Sequence, residues 1–291
     1  MDAIIPMLTS KLTLPAPCKI NRFLHITGRR PDGYHELQTV FQFLDFSDTL
    51  CFSPHHELSL QVDRTDLALH DNLVLRAARL LQEHTGTTQG AKISLSKRIP
   101  TGAGLGGGSS DAATTLHALN HLWQTELSTE QLAALGLHLG ADVPVFVYGQ
   151  TAWAEGVGER LTPISMDTPW FLVLKPPVHC ATAAIFQHDQ LTRNTPISTL
   201  TTFRWDRAHN DCEDVVCRMY PEVAQGLNWL RQFGPAFLTG TGSCVVQACQ
   251  SQDEALKRLA MAPFSGFIAK SCNQSSLLLA MEALGFMGSK N

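Results

Sequence analysis

Residues 102–108 read Gly-Ala-Gly-Leu-Gly-Gly-Gly, five glycines in seven positions, and lead through Ser109, Ser110 and Asp111 into Ala112, Ala113, Leu116, Leu119 and Leu122 at helical spacing. A glycine run that opens a helix is suited to one task in particular. Without side chains its N–H groups can turn toward an anion, and the helix N-terminus adds unpaired donors and a dipole of matching sign. Ser109 or Ser110 is the expected N-cap. A flexible linker would not run into an amphipathic helix, and a tight turn needs only one or two glycines. The loop is read as a phosphate cradle.

The better-known cradles do not match. Gly102, Gly104 and Gly107 spell the dinucleotide pattern G-x-G-x-x-G, but Pro100 cuts them off from the strand AKISLSKRI, and no later strand offers an acid to a ribose. No Gly-Lys-Ser/Thr closes the run as in a P-loop, and neither H-R-D nor D-F-G of the protein kinases occurs.

The chain's 291 residues can bury a full core in two domains or lobes, and 44% hydrophobic with 16% charged residues is a globular composition. A net charge of −4 gives no general attraction to nucleic acid or an anionic membrane, so a phosphorylated small molecule must be held by local donors. The longest apolar run, VPVFVYG, is too short to cross a bilayer, and MDAIIPMLTSKL lacks the pattern of a signal peptide, so a cytoplasmic protein is expected. Eight cysteines without a C-x-x-C read as reduced, mostly buried thiols.

Periodicity predicts strands from Lys11 to about Val62, a helix at DNLVLRAARLLQEH, a strand at AKISLSK, two helices, and a strand at VPVFVYG. After the connection TPISMDTPW come a strand WFLVLK, one helix through CEDVVCRMYPEVAQGLNWL, a strand SCVVQAC, a helix DEALKRLA and a strand GFIAK. This mixed order predicts an α+β fold with lobes at 1–160 and 161–291.

If a phosphate held in such a cradle is to be transferred, the chemistry requires held donor phosphates, a metal ion to bridge them, and a group that orients and deprotonates the acceptor hydroxyl. Asp142 follows a helix that ends at Gly140 and is placed at a strand mouth, where an isolated aspartate could equally be a turn residue. Alternation in CKINRFLHI puts Lys19, Asn21, Phe23 and His25 on one face and Ile20, Leu24 and Ile26 on the other, with Arg22 falling on the apolar face. Pro31-Asp32-Gly33 is a turn, after which Tyr34 and His35 could simply open the next strand. Asp111 is read as a partner of the helix dipole. Gly240-Thr241-Gly242-Ser243 is a second glycine loop or a bend between strands.

The motif P-x-G-x-G-L-G-G-G-S-S-D-A resembles the phosphate loop of the GHMP kinases, which act on galactose, homoserine, mevalonate and phosphomevalonate. So do PAPCKINRFLHITGRRPDGYHELQTVFQFLDFSDTL (15–49), DNLVLRAARLL (71–81), GADVPVFVYG (140–149), AEGVGE (154–159) and LTGTGSCVV (238–246). The resemblance implies a two-lobed kinase with its active site in the cleft, using ATP and Mg2+. It implies that Pro100, Gly102, Gly104, Leu105, Gly106, Gly107, Gly108, Ser109 and Ser110 hold the phosphates, that Asn72 and Lys97 lie by the adenine, and that the second glycine loop buttresses the first. Asp142 would take the hydroxyl proton, and Lys19 would pair with it.

The combination of K-I-N with R-x-D-G-Y-H-E is similar to the branch that phosphorylates a cytidine diphosphate-linked methylerythritol on the route to isoprenoids. That likeness implies that Tyr34 and Phe186 stack on the cytosine, that His35 bonds its edge, and that Asn21 and Thr182 meet the erythritol. Cys18 and Arg22 depart from the usual Ala and Leu. Other acceptors, mevalonate or homoserine, have no use for Tyr34, His35 and Phe186, and a nucleotide sensor on the same fold has none for Lys19 and Asp142. No motif names a magnesium ligand.

Overall fold

The computed structural model describes residues 11–64 and 72–286. The opening segment read for a signal peptide lies largely outside these residues, as does Asp71 at the start of the first expected helix.

Two long strands, β1 (Leu12–Arg29) and β2 (His35–His55), form an antiparallel hairpin across the Pro31-Asp32-Gly33 turn. Gly33 sits at φ 91°, a conformation glycine adopts without a Cβ clash. β3 (Ser59–Val62), helix α1 (Leu73–Thr85) and β4 (Gly90–Ser96) follow, with β3 parallel and β2 antiparallel to β4. Helices α2 (Gly107–Leu122), α3 (Thr129–Leu139) and α4 (Val143–Tyr148) cover this part of the sheet, and the hairpin of β5 (Ala152–Glu155) and β6 (Arg160–Pro163) is added through β2.

The second half supplies β7 (Trp170–Leu174), α5 (Thr182–Gln187), α6 (Glu213–Met219), α7 (Pro221–Arg231), β8 (Ala236–Leu238), β9 (Val245–Cys249), α8 (Gln252–Ala260), β10 (Gly266–Cys272) and α9 (Ser276–Ala283). β10 is the seam. It pairs along its length with β7 and through Ser271 and Cys272 with Leu44 and Phe43 of β2, so the ten strands among the described residues form one sheet. Past the seam, α9 returns to the first half and puts Leu277 and Met281 into its core.

One apolar core lies under α1 to α4, a second under α5 to α7, and a third between them joins Cys18, Ile20, Ile99, Phe171, Val173, Cys244 and Val246. Ala103 and Leu105 of the glycine loop are buried in that third core. The loop is thereby anchored to both halves of the molecule.

The α+β architecture is as expected, but four local readings change. VPVFVYG is the helix α4, with Pro144 in its first turn and Gly149 at φ 65° closing it. Every residue from Val143 to Val147 is buried, and a short apolar run enclosed on all sides has no periodicity to separate helix from strand. The long helix in the second half is broken at Tyr220-Pro221 into α6 and α7, because proline cannot donate within a helix and disfavours the helical conformation before it. The N-cap of α2 is Gly106 at φ 71°, so Ser109 and Ser110 lie inside the first turn. α9, capped by Ser275, is an additional helix, and α5, β5, β6 and β8 are further short elements with no counterpart in the sequence reading.

Candidate active site

The glycine loop is built by alternation. Gly102, Gly104 and Gly106 take φ of 63°, 76° and 71°, while Ala103 and Leu105 between them point into the core. Each glycine is also packed too closely for a side chain: a Cβ would lie 2.4 Å from His179 at Gly102, 2.2 Å from the Thr239 carbonyl at Gly104 and 2.7 Å from the Phe146 ring at Gly106. The loop's carbonyls are occupied from behind. Cys244 N–H donates to Ala103 O at 3.2 Å, Lys19 Nζ to Gly104 O at 3.3 Å and Lys19 N–H to Leu105 O at 3.0 Å. At the front, the first turn of α2 leaves N–H groups without helical acceptors, aimed where an anion would sit.

A cavity of about 360 Å3 opens there, lined by Asn72, Leu73, Leu95, Lys97, Asp111 and residues 100–109 apart from Leu105. It brings together Asn72, Lys97, Pro100, Gly102, Gly104, Gly106, Gly107, Gly108 and Ser109. Two members of the motif lie off it: Leu105 is a core residue, and Ser110 is fully buried with its hydroxyl unpartnered among the described residues. Asn72 also caps α1, accepting from Val74 N–H at 3.0 Å.

Lys97 is held from below by two carboxylates, Asp48 Oδ2 and Asp111 Oδ2, the latter at 2.7 Å. The other Asp48 oxygen accepts from the Arg98 and Ile99 N–H groups, which fixes the segment entering the glycine loop. Asp111 is thus an ion-pair partner and not a helix-dipole partner. Burial draws the Lys97 ammonium down, but Asp111 and Asp48 outweigh it and hold it above its ordinary value. Burial pushes Asp111 up to about 7 against the pull of Lys97, since Asp48 competes for the same cation.

Against the same loop, Lys19 Nζ stands 3.3 Å from Asp142 Oδ2 and donates to Asn21 Oδ1 at 2.7 Å. Lys19 is 3% exposed and Asp142 35%, so the cation is enclosed and the carboxylate is open to solvent. Asp142 precedes α4 and its side chain makes no cap bond, which leaves both oxygens outside the helix's own accounting. The strand carrying Lys19 and Asn21 shifts register between Pro17 and Lys19 and again between Asn21 and Leu24. These irregularities, read as simple alternation in the sequence, turn half-buried Arg22 sideways to bond Gln42 at 2.6 Å and Asp167 at 3.3 Å.

The second glycine loop leans on the first. Gly240 and Gly242 take φ of 57° and 81°, and Thr239 Oγ1 accepts from Asn21 N–H at 2.9 Å. Asn210 Nδ2 donates to Leu238 O at 2.9 Å and Gly240 O at 2.8 Å. Thr182 reaches this loop through a 2.9 Å bond to Thr241.

His35 and Phe186 stack with centroids 5.1 Å apart and planes at 28°. Arg193 holds both, donating from Nε to His35 Nε2 at 3.0 Å and from Nη2 to Phe186 O at 2.9 Å. His35 Nε2 is therefore an acceptor and Nδ1 carries the proton. Burial, then Arg193 and Arg29, lower the His35 pKa, so the ring is neutral at neutral pH. Tyr34, 63% exposed, stands beside this pair and outside the stack, its N–H turned to Asp32 Oδ1 at 3.0 Å. Arg193, Asp48, Thr239 and Asn210 had no sequence signal, because their partners are 28 to 218 residues away or are backbone atoms.

Among the described residues no helix is long and apolar enough to cross a membrane, and no group of three or more His, Cys, Asp or Glu could hold a metal ion.

The GHMP kinases N terminal domain matches residues 72–150 and the GHMP kinases C terminal domain matches residues 200–263. The 4-diphosphocytidyl-2-C-methyl-D-erythritol kinase of Chromohalobacter salexigens is 55% identical over 278 residues, covering 92% of this chain and 93% of that protein. The enzyme of the same name from Pseudomonas syringae pv. syringae is 53% identical, over 96% and 100% of the two chains. A crystal structure of 4-(cytidine 5'-diphospho)-2C-methyl-D-erythritol kinase superposes with a TM-score of 0.77 at 32% identity, over 89% of this chain and 99% of that one. A mevalonate kinase shares the fold at 16% identity with a TM-score of 0.66. The chain belongs to the GHMP kinase family, on the branch of the 4-diphosphocytidyl-2-C-methyl-D-erythritol kinases.

Proposed function

We propose that the protein transfers the terminal phosphoryl group of ATP to a hydroxyl of 4-diphosphocytidyl-2-C-methyl-D-erythritol, on the methylerythritol route to isoprenoids. The observation that carries the reading is the Lys19–Asp142 pair, set against the glycine loop that lines the cavity, where Lys19 Nζ donates to Gly104 O. The lobes divide near residue 160, with the cleft between them.

ATP lies in the cavity, its base by Asn72 and Lys97 and its phosphates on the N–H groups of the loop and the first turn of α2. Mg2+ bound with the nucleotide would neutralise phosphate charge and would need only one or two protein oxygens beside the phosphates; Asp111, which lines the cavity and has Oδ1 unpartnered among the described residues, fits that need. Asp142 accepts the proton of the acceptor hydroxyl as that oxygen attacks phosphorus. Lys19, 3.3 Å from that carboxylate, lies near the charge that develops on the transferring group. Asn21 and Thr182 meet the erythritol. The cytosine is received at Phe186 and His35, with exposed Tyr34 free to close over it, because stacking desolvates both π surfaces.

The test is ADP release from Mg-ATP with the cytidine-linked tetrol, mevalonate and homoserine offered separately. Turnover should require the tetrol, and equal turnover of mevalonate contradicts the assignment.

A further inference from the structure

Thr39 lies in β2 with 0% exposure, and valine would have the same shape there, so a buried hydroxyl at this position calls for a reason. Its neighbours supply one. The Phe23 carbonyl beside it carries only lone pairs, so the single hydroxyl proton of Thr39 is donated there. Having donated that proton, Oγ1 can only accept from its other neighbour. The Asn21 atom 2.9 Å away must then be the donor Nδ2, and the amide's opposite end must be Oδ1.

The same orientation is demanded from the other direction. Lys19 Nζ has three donors and no acceptor, and it stands 2.7 Å from the far end of that amide, which has to be oxygen. The Asn21 backbone cannot move to compensate, because its N–H is bonded to Thr239 Oγ1 at 2.9 Å. Rotation about χ2 is the freedom that remains. A flipped amide would turn N–H groups toward the ammonium, and Lys19 would lose one of the contacts that keep it 3.3 Å from Asp142.

We infer that Thr39 is a positioning residue for phosphoryl transfer: through Phe23 O, Thr39 Oγ1, Asn21 and Lys19, a directional chain of hydrogen bonds fixes the ammonium against Asp142. The inference rests on the reading of Lys19 and Asp142 as the reacting pair.

The test is Thr39→Val, which keeps shape and removes the hydroxyl, studied with Thr39→Ser, which keeps the hydroxyl and loses a methyl. In Thr39→Val kcat should fall roughly 10-fold or more while the KM for ATP stays within about twofold, since a small misplacement of a reacting group is costly and the nucleotide cavity is untouched. Thr39→Ser should recover most of kcat. Added to Lys19→Met, Thr39→Val should cost nothing further, because the amide then has no ammonium to present. If the valine variant does not fold, Thr39→Ala against Thr39→Ser isolates the hydroxyl, as both lack the methyl.

Equal kcat in the variants with and without the hydroxyl, or losses that add to Lys19→Met, overturn the inference alone. Near wild-type kcat in both Lys19→Met and Asp142→Asn removes the reacting pair and the inference with it.

Discussion

Gly104 and Thr239 touch with no room for a side chain: a Cβ on Gly104 would lie 2.2 Å from the Thr239 carbonyl oxygen. The phosphate loop of one half and the glycine loop of the other are packed backbone to backbone, so loop geometry depends on both.

Gly104→Ala should therefore disturb the loop twice over. Its φ of 76° costs a side chain roughly 1–3 kcal/mol, and the clash adds an overpacking cost of about 1–3 kcal/mol. ATP affinity should fall at least about tenfold, with a lower Tm, measured by nucleotide titration and thermal melting. Gly86→Ala is the control. Gly86 has a similar φ of 71° but nothing within 4 Å of a Cβ, so that variant should lose a little stability and keep its ATP affinity.

The buried Lys97 site should make stability depend on pH in a particular direction. Asp111 is pushed up from 3.8 to about 7 in the fold, so between these values the folded chain holds a proton that the unfolded chain has released. Its contribution is favourable at the acid end of that window and is lost as pH rises through about 7. In Asp111→Asn this slope should vanish. Denaturant unfolding of both proteins from about pH 5 to about pH 8 checks it, and identical pH profiles contradict it.

Phe186→Ala should raise the KM for the cytidine-linked substrate by a loss of ~1–3 kcal/mol, the range for a base stacked on an aromatic ring, and leave the KM for ATP unchanged. Arg193→Met should raise it as well, because that guanidinium holds His35 and Phe186 in register. Steady-state kinetics with each substrate varied in turn separates the two sites.

Much of this site was legible in the sequence because its signals are local. The glycine run that opens a helix, the Lys19 strand and the Asp142 turn each lie within a few residues, and the structure sets Lys19 and Asp142 against that glycine loop. What the sequence hid was set by packing. VPVFVYG is β-branched and apolar and reads as a strand, but it is a helix whose residues Val143–Val147 are all buried, so no periodicity marked the difference. The lean of Arg22 follows from shifts in strand register, and the Lys97 triad depends on Asp48, which is 49 residues away in the chain. Periodicity carries no information about such partners.

The account turns on Asp142 as the group that takes the hydroxyl proton, and the most direct measurement is the single-turnover rate of Asp142→Asn with Mg-ATP and the cytidine-linked tetrol. Asparagine keeps the shape and removes the base, so the rate should fall by roughly 10²–10⁴ with nucleotide affinity retained. Lys19→Met should also slow transfer, and the double variant should be little worse than the slower single one, since the two residues act as a unit 3.3 Å apart. Transfer at close to the wild-type rate in Asp142→Asn would contradict the account.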